Sequence, residues 1–151
     1  MTVTEFVMQE IRDSPHFKQY VDRLNDALRR EEKDRKRFEE SLSEGVRAKF
    51  IHRRVVVQMP ARDRHNQAVK RLTKLLDTYA ELRGIGELRS EQALVRFPRN
   101  DYGPDICFWK KTRAKELTPD LLIYPIPDFI CEVLSPSTAR YDRGIKFKDY
   151  E

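Results

Sequence analysis

A chain of 151 residues, 39% apolar and 36% charged with a mean hydropathy of −0.74, suffices for one ordinary domain: a modest core under a heavily charged surface. No apolar run reaches the length of a membrane span, and Met1-Thr-Val-Thr-Glu5 lacks the basic and apolar regions of a signal peptide, so a cytoplasmic location without a membrane partner is expected. The net charge of +5 is unevenly spread: residues 1–45 balance at −2, residues 46–100 at +8 and residues 101–151 at −1, and such a concentration of cations suits a nucleic-acid partner as well as it suits a solubilising surface.

In chain order, Thr4 to about Ile11 reads as a short helix on Phe6, Val7 and Ile11. Ser14-Pro15 then reads as an N-cap followed by a proline at the first helical position. Phe17, Tyr20, Val21, Leu24 and Leu28, then Phe38 and Leu42, predict one long helix or two joined ones ending near Gly45. The charges of this segment alternate in sign, as on a solvated, salt-bridged face, so it reads as an appendage that packs on a core or on a partner subunit. Val55-Val-Val57, stopped by Pro60, predicts a strand over Arg54–Met59. Ala68, Val69, Leu72, Leu75, Leu76, Tyr79 and Leu82 form a stripe that predicts a helix from about Asp63 to Arg83, with His65 in its first turn and Gly84 and Gly86 supplying the stop.

Strands follow at Gln92–Phe97, Asp105–Trp109 and Asp128–Leu134, the first two joined tightly through Pro98–Gly103. The connection from Lys110 to Pro127 has room for one helical turn. Ser135-Pro-Ser-Thr138 breaks the last strand and caps a final helix from about Ala139. Cys107 and Cys131, each inside an apolar run, read as buried structural thiols. The element order fits an α/β or α+β sandwich on a mixed sheet.

Two carboxylates stand in segments that otherwise want burial: Asp105 in Pro104-Asp-Ile-Cys-Phe-Trp109, and Glu132 in Phe129-Ile-Cys-Glu-Val-Leu134. An acid there is costly unless something neutralises it. If the two strands pair in one sheet, both acids converge and suit a hard divalent cation, which would polarise a phosphoryl oxygen and acidify an attacking water. The plainer alternatives are an Asp105 at a strand start, paired with an arginine, and a Glu132 facing out from an edge strand.

These residues carry a resemblance. Pro104-Asp-Ile-Cys-Phe108, Pro127-Asp-Phe-Ile-Cys-Glu-Val-Leu-Ser-Pro-Ser-Thr138, Asp142-Arg-Gly-Ile-Lys-Phe-Lys-Asp-Tyr150 and Arg64-His-Asn66 resemble the Uma-type family of bacterial restriction-endonuclease-like proteins, assigned to the PD-(D/E)xK nuclease superfamily. The likeness runs from about Lys49 to Glu151. The Arg30-Glu-Glu-Lys-Asp-Arg run is similar to an extension found in one branch of the family. The resemblance implies a restriction-endonuclease-like core over 46–151, a mixed sheet flanked by helices, behind a helical extension over 1–45. Relatives continue past the tyrosine-bearing helix, so the core is expected to be incomplete at its C-terminus, with a homodimer through the helices or an uncovered sheet edge as a further expectation.

Carried over by position, Asp105 resembles the aspartate of the first half-motif and Glu132 the acid of the second. Both would be catalytic and would bind Mg²⁺ or Mn²⁺. The superfamily's usual lysine position holds Leu134, and the resemblance implies that Lys146 takes over its role. Asp142, Lys146 and Tyr150 share one helix face, so Asp142 is a candidate to position Lys146, while Tyr150 reads as core packing. His65 is a supporting catalytic candidate whose alternative is a satisfied core histidine. Arg62, Arg64, Lys70, Arg71, Lys74 and Arg143 are candidate DNA-phosphate contacts whose alternative is a solvated helix face. Two departures stand out: Lys49 replaces an acidic residue common in the family, and His52-Arg53 replaces a turn-forming Asn-Gly, so a differently built turn is expected. The leading expectation is a metal-dependent endonuclease that hydrolyses DNA phosphodiester bonds. The alternatives are an inactive nuclease-fold module that binds nucleic acid or a partner protein, favoured by Lys49 and Leu134, and a helical oligomerisation protein led by residues 15–45.

Overall fold

The computed structural model describes residues 2–90, 93–136 and 139–151. Two compact units divide the chain, Met1–Ser41 and Leu42–Glu151.

The first unit holds α1 (Val3–Asp13) and α2 (Phe17–Glu40). Thr2 and Glu5 form a capping box on α1: the Thr2 hydroxyl accepts the Glu5 N–H at 3.2 Å, and the Glu5 carboxylate accepts the Thr2 N–H at 2.7 Å. The cap expected at Ser14 is not formed. Ser14 Oγ accepts the N–H of His16 at 3.1 Å and so closes a turn between the helices, while α2 begins at Phe17 with His16 as an N-cap lacking a side-chain bond. One continuous helix follows. Its Phe17, Tyr20, Leu24 and Leu28 lie at helical spacing and are exposed.

In the second unit, β1 (Ala48–Ile51) and β2 (Arg54–Val57) form a hairpin, followed by α3 (Asp63–Arg83), β3 (Gly86–Ser90), β4 (Leu94–Arg96), β5 (Asp101–Tyr102) and β6 (Ile106–Lys110). A single turn, α4 (Lys111–Ala114), precedes β7 (Ile123–Tyr124) and β8 (Phe129–Cys131). The chain closes on α5 (Ala139–Tyr141), a π-helical turn (Asp142–Lys146) and α6 (Phe147–Tyr150). One sheet runs β2-β1-β5-β4-β7 and is mixed, because β4 and β7 pair in parallel; the other runs β3-β6-β8 and is antiparallel. The α+β class with a mixed sheet flanked by helices is as the sequence implies. Of the expectations on the sequence, the strand residue Gln92 and the cap residues Ser137 and Thr138 lie outside the described residues.

The core joins the two sheets. Val95, Phe97 and Tyr102 of the first region pack with Cys107 and Trp109 of β6, and Ile51, Ile130 and Tyr150 close around them. On the other face of β6, Ile106 meets Val69 of α3 and Leu88 of β3. The helix boundary at Arg83 follows from Gly84, which caps it at φ 59°, ψ 35°. Gly86 plays a different part from the stop expected of it: it lies in β3, where an added Cβ would come within 2.1 Å of the Trp109 carbonyl oxygen. The apolar stripe of α3 is also rotated from its expected orientation. Val69 and Ala80 are buried, whereas Leu72, Leu75, Tyr79 and Leu82 are exposed.

The β1–β2 turn corrects a further expectation. His52 (φ 45°) and Arg53 (φ 65°) both adopt left-handed backbone, so the two-residue primed turn favoured by hairpin twist persists without glycine. The Asn100 side chain compensates: its Oδ1 accepts the His52 N–H at 2.9 Å.

Candidate active site

Asp105 immediately precedes β6, and Glu132 immediately follows β8. The antiparallel register pairs Ile106 with Cys131 and Cys107 with Ile130, so one step further it sets Asp105 opposite Glu132. The alternation of side chains then puts both on the face of Cys107 and Ile130, and Glu132 feels the Asp105 charge. The two acids are therefore delivered together by strand pairing, and the Asp105 carboxylate is fixed across the pair, with Oδ2 accepting the Val133 N–H at 2.7 Å. Its other oxygen lies 3.3 Å from His65 Nε2 at the start of α3.

Glu132 is held from the other side by the terminal helical segment. Lys146 Nζ lies 2.5 Å from Glu132 Oε1, and the Tyr150 hydroxyl donates to the same oxygen at 2.7 Å. Asp142 Oδ1 completes the lysine's surroundings at 3.1 Å. The π-helical turn between Asp142 and Lys146 widens the helix where these side chains face the sheet, a distortion common at functional sites.

Burial is the largest influence on Glu132 and raises its pKa, while the Lys146 ammonium and the Tyr150 hydrogen bond oppose that rise. Burial alone would lower Lys146, but Glu132 and Asp142 outweigh it and raise its pKa. Lys146 and the Tyr150 hydroxyl both donate to Glu132 Oε1, contacts that favour the carboxylate against the effect of its burial. The charges reach deeper as well. Cys107, one pleat below Asp105 on the same face, has its thiol pushed up to about 12, by burial first and then by Glu132 and Asp105.

Asp105, Glu132, Lys146 and His65 are thus brought to one place, Asp142 adjoins Lys146, and Tyr150 both packs in the core and bonds Glu132. Arg62, Arg64, Lys70, Arg71, Lys74 and Arg143 are exposed and form no ion pair among the described residues. Arg143 borders a groove of about 440 Å³ that is also lined by Phe129, Leu134, Phe147, Glu132 and Asp142.

Two residues at the site were not singled out as functional from the sequence. Lys49 projects from β1 on the same face as Ile51, which packs against the cluster containing Cys107, Ile130 and Tyr150. Its pKa is lowered, by burial first and then by the charge of Lys146, against the opposing pull of Glu132, Asp105 and Asp142. The other is Asp149, which accepts from Asn100 Nδ2 and from the Tyr102 hydroxyl, each at 2.6 Å, and so ties α6 to the hairpin support. Neither has a signal in periodicity, and although Lys49 marks a family departure and Asp149 lies within the Asp142–Tyr150 stretch, their neighbours come from distant segments.

Among the described residues no group of three or more His, Cys, Asp and Glu side chains is arranged to enclose a metal ion. A protein cage is not what Mg²⁺ requires: one or two carboxylates, with water and substrate phosphate completing an octahedron, suffice. Asp105 and Glu132 offer that donor set, with His65 beside it.

The family model described as "Uma2: Putative restriction endonuclease" matches residues 35–151. A solved structure, a putative nuclease belonging to DUF820 from Anabaena variabilis ATCC 29413, superposes with a TM-score of 0.60 at 16% identity. The match covers 73% of this chain and 64% of that one, so the chain spans less than two thirds of that relative's length. No curated protein matches. No described helix is long and apolar enough to cross a membrane.

Proposed function

The chain belongs to the Uma2 family, described as putative restriction endonucleases, and from that premise we propose that it hydrolyses DNA phosphodiester bonds at the Asp105–Glu132 pair with Mg²⁺ or Mn²⁺. The observation that carries this reading is the β6–β8 register, which sets two part-buried carboxylates opposite each other beside a buried lysine. Asp105 and Glu132 would hold the ion, which when bound would polarise the phosphate and acidify a water. The Val133 amide and His65 orient Asp105. Lys146 and Tyr150 favour the ionised form of Glu132 and fix its direction, which preorganises the ligand pair. The exposed cations at and before α3 supply phosphate-backbone contacts. DNA is the natural reading of the family description, and a long polyanion suits the basic middle segment.

The test is nicking of supercoiled plasmid by the full chain in Mn²⁺ and in Mg²⁺. Nicking is expected, with complete loss in Asp105→Ala and Glu132→Ala and in excess chelator. Nicking that persists in both variants would sink the site assignment. Lys49 and Leu134 favour a second reading, an inactive module of the same fold that binds nucleic acid or a partner. Its signature is DNA binding indifferent to chelator, with no nicking under any divalent ion.

A further inference from the structure

Building on the phosphodiester reading, we propose that Lys49, rather than Lys146, is the lysine that contacts the substrate phosphate at this site.

An ammonium has three donors and binds phosphate as a point charge. Lys146 is already committed. Its side chain is 4% exposed, and its Nζ lies 2.5 Å from Glu132 and 3.1 Å from Asp142. One donor remains, but at that burial it has little opening to an incoming phosphate. Lys49 stands otherwise. It is half-buried, and its ammonium forms no hydrogen bond or ion pair among the described residues.

Its position follows from the backbone. In β1 it alternates with buried Ala48 and Phe50, and Ile51, on its own face, packs on the core beneath Asp105 and Glu132. Its stem runs beside Gly103, where an added Cβ would lie 3.7 Å from Lys49 Cε, and Gly103 is two residues before Asp105. The charged groups it senses are Lys146, Glu132, Asp105 and Asp142, which are the members of the cluster. A partly desolvated cation with unfilled donors beside two candidate metal ligands has an anion still to acquire, and a phosphodiester oxygen is such an anion.

The experiment measures binding of a short labelled DNA duplex to the full chain by fluorescence anisotropy in Ca²⁺ over a series of salt concentrations, beside plasmid nicking in Mn²⁺. Lys49→Met is expected to weaken binding roughly tenfold on every sequence and to make the log Kd against log salt plot shallower by about 0.9, the loss of one phosphate contact. Lys49→Arg is expected to bind within about twofold of the parent. Should Lys49→Met unfold early in a thermal melt, Lys49→Gln is read in its place. Unchanged binding and slope in a folded neutral variant overturn the inference, and if the parent nicks DNA the nuclease reading survives that result. A parent that binds but never nicks, with binding still lost in Lys49→Met, overturns the nuclease reading and leaves Lys49 as the phosphate contact of a binding module.

Discussion

Lys146 Nζ meets Glu132 Oε1 at 2.5 Å inside the fold, the lysine side chain 4% and the glutamate 15% exposed. Each side chain is tolerable there only because of the other. Removing one partner of a buried pair costs about 3–5 kcal/mol, chiefly by stranding the remaining charge, while removing both costs far less. Lys146→Met should therefore lower stability in urea by about that amount, and adding Glu132→Gln should return much of it. Equal or additive losses would show that the two groups do not depend on each other.

Asp149 is a second, half-buried anchor. It accepts hydrogen bonds from Asn100 and Tyr102, and Asn100 in turn accepts the His52 amide. Asp149→Ala strands two donors and should cost about 2–4 kcal/mol, whereas Tyr102→Phe removes one bond and should cost about 1–2 kcal/mol. Chemical denaturation of the two variants tests the order. A larger loss in Tyr102→Phe would contradict it.

Much of this arrangement is legible in the amino-acid sequence. The helix Asp63–Arg83 is bounded by a glycine that only left-handed backbone explains, and Asp105 and Glu132 stand out as acids inside apolar runs. What is not legible has physical reasons. Residues 86–90, Gly-Glu-Leu-Arg-Ser, form β3 although they carry one aliphatic side chain, because β6 provides the partner that their own pattern does not announce. The two-residue strands β5 and β7 are too short for any period. The orientation of α3 is not legible because a stripe of leucines marks a helix but not which flank meets the sheet; there His65 and Val69 turn inward and Leu75 outward. Asp149 bonds Asn100 and Tyr102, and Lys49 lies beside Gly103; these neighbours come from distant segments, which no local reading contains.

Backbone strain gives a paired prediction. His52 and Gly84 both adopt left-handed backbone, at φ 45° and 59°, and an added Cβ at Gly84 would touch nothing within 4 Å. Side chains pay roughly 1–2 kcal/mol for this conformation, so Gly84→Ala should lose about 1 kcal/mol without any clash. His52→Gly should gain up to about 1 kcal/mol while keeping the amide that bonds Asn100. Thermal melts should move in opposite directions, and a fall in both would mean that the His52 side chain is itself stabilising.

Three of the six tyrosines, Tyr102, Tyr141 and Tyr150, have pKa values raised above the ordinary 10. Burial is the first cause in each; the hydrogen bond to Asp149 adds to it at Tyr102, and the Glu132 charge adds to it at Tyr150. A phenol whose folded pKa lies above its unfolded one ionises first in the unfolded chain. Below pH 10 it costs the fold nothing; above pH 10 the unfolded state loses protons that the folded state keeps, and stability falls as pH rises further. Alkaline titration should show the tyrosinate absorbance of these residues arriving together with the loss of helical circular dichroism, not before it. Tyr102→Phe and Tyr150→Phe should each flatten the alkaline decline, since each removes one proton from the linkage. Full ionisation of all six tyrosines in a chain that is still folded would contradict the burial of this cluster and, with it, the hydrogen bond that aims Glu132.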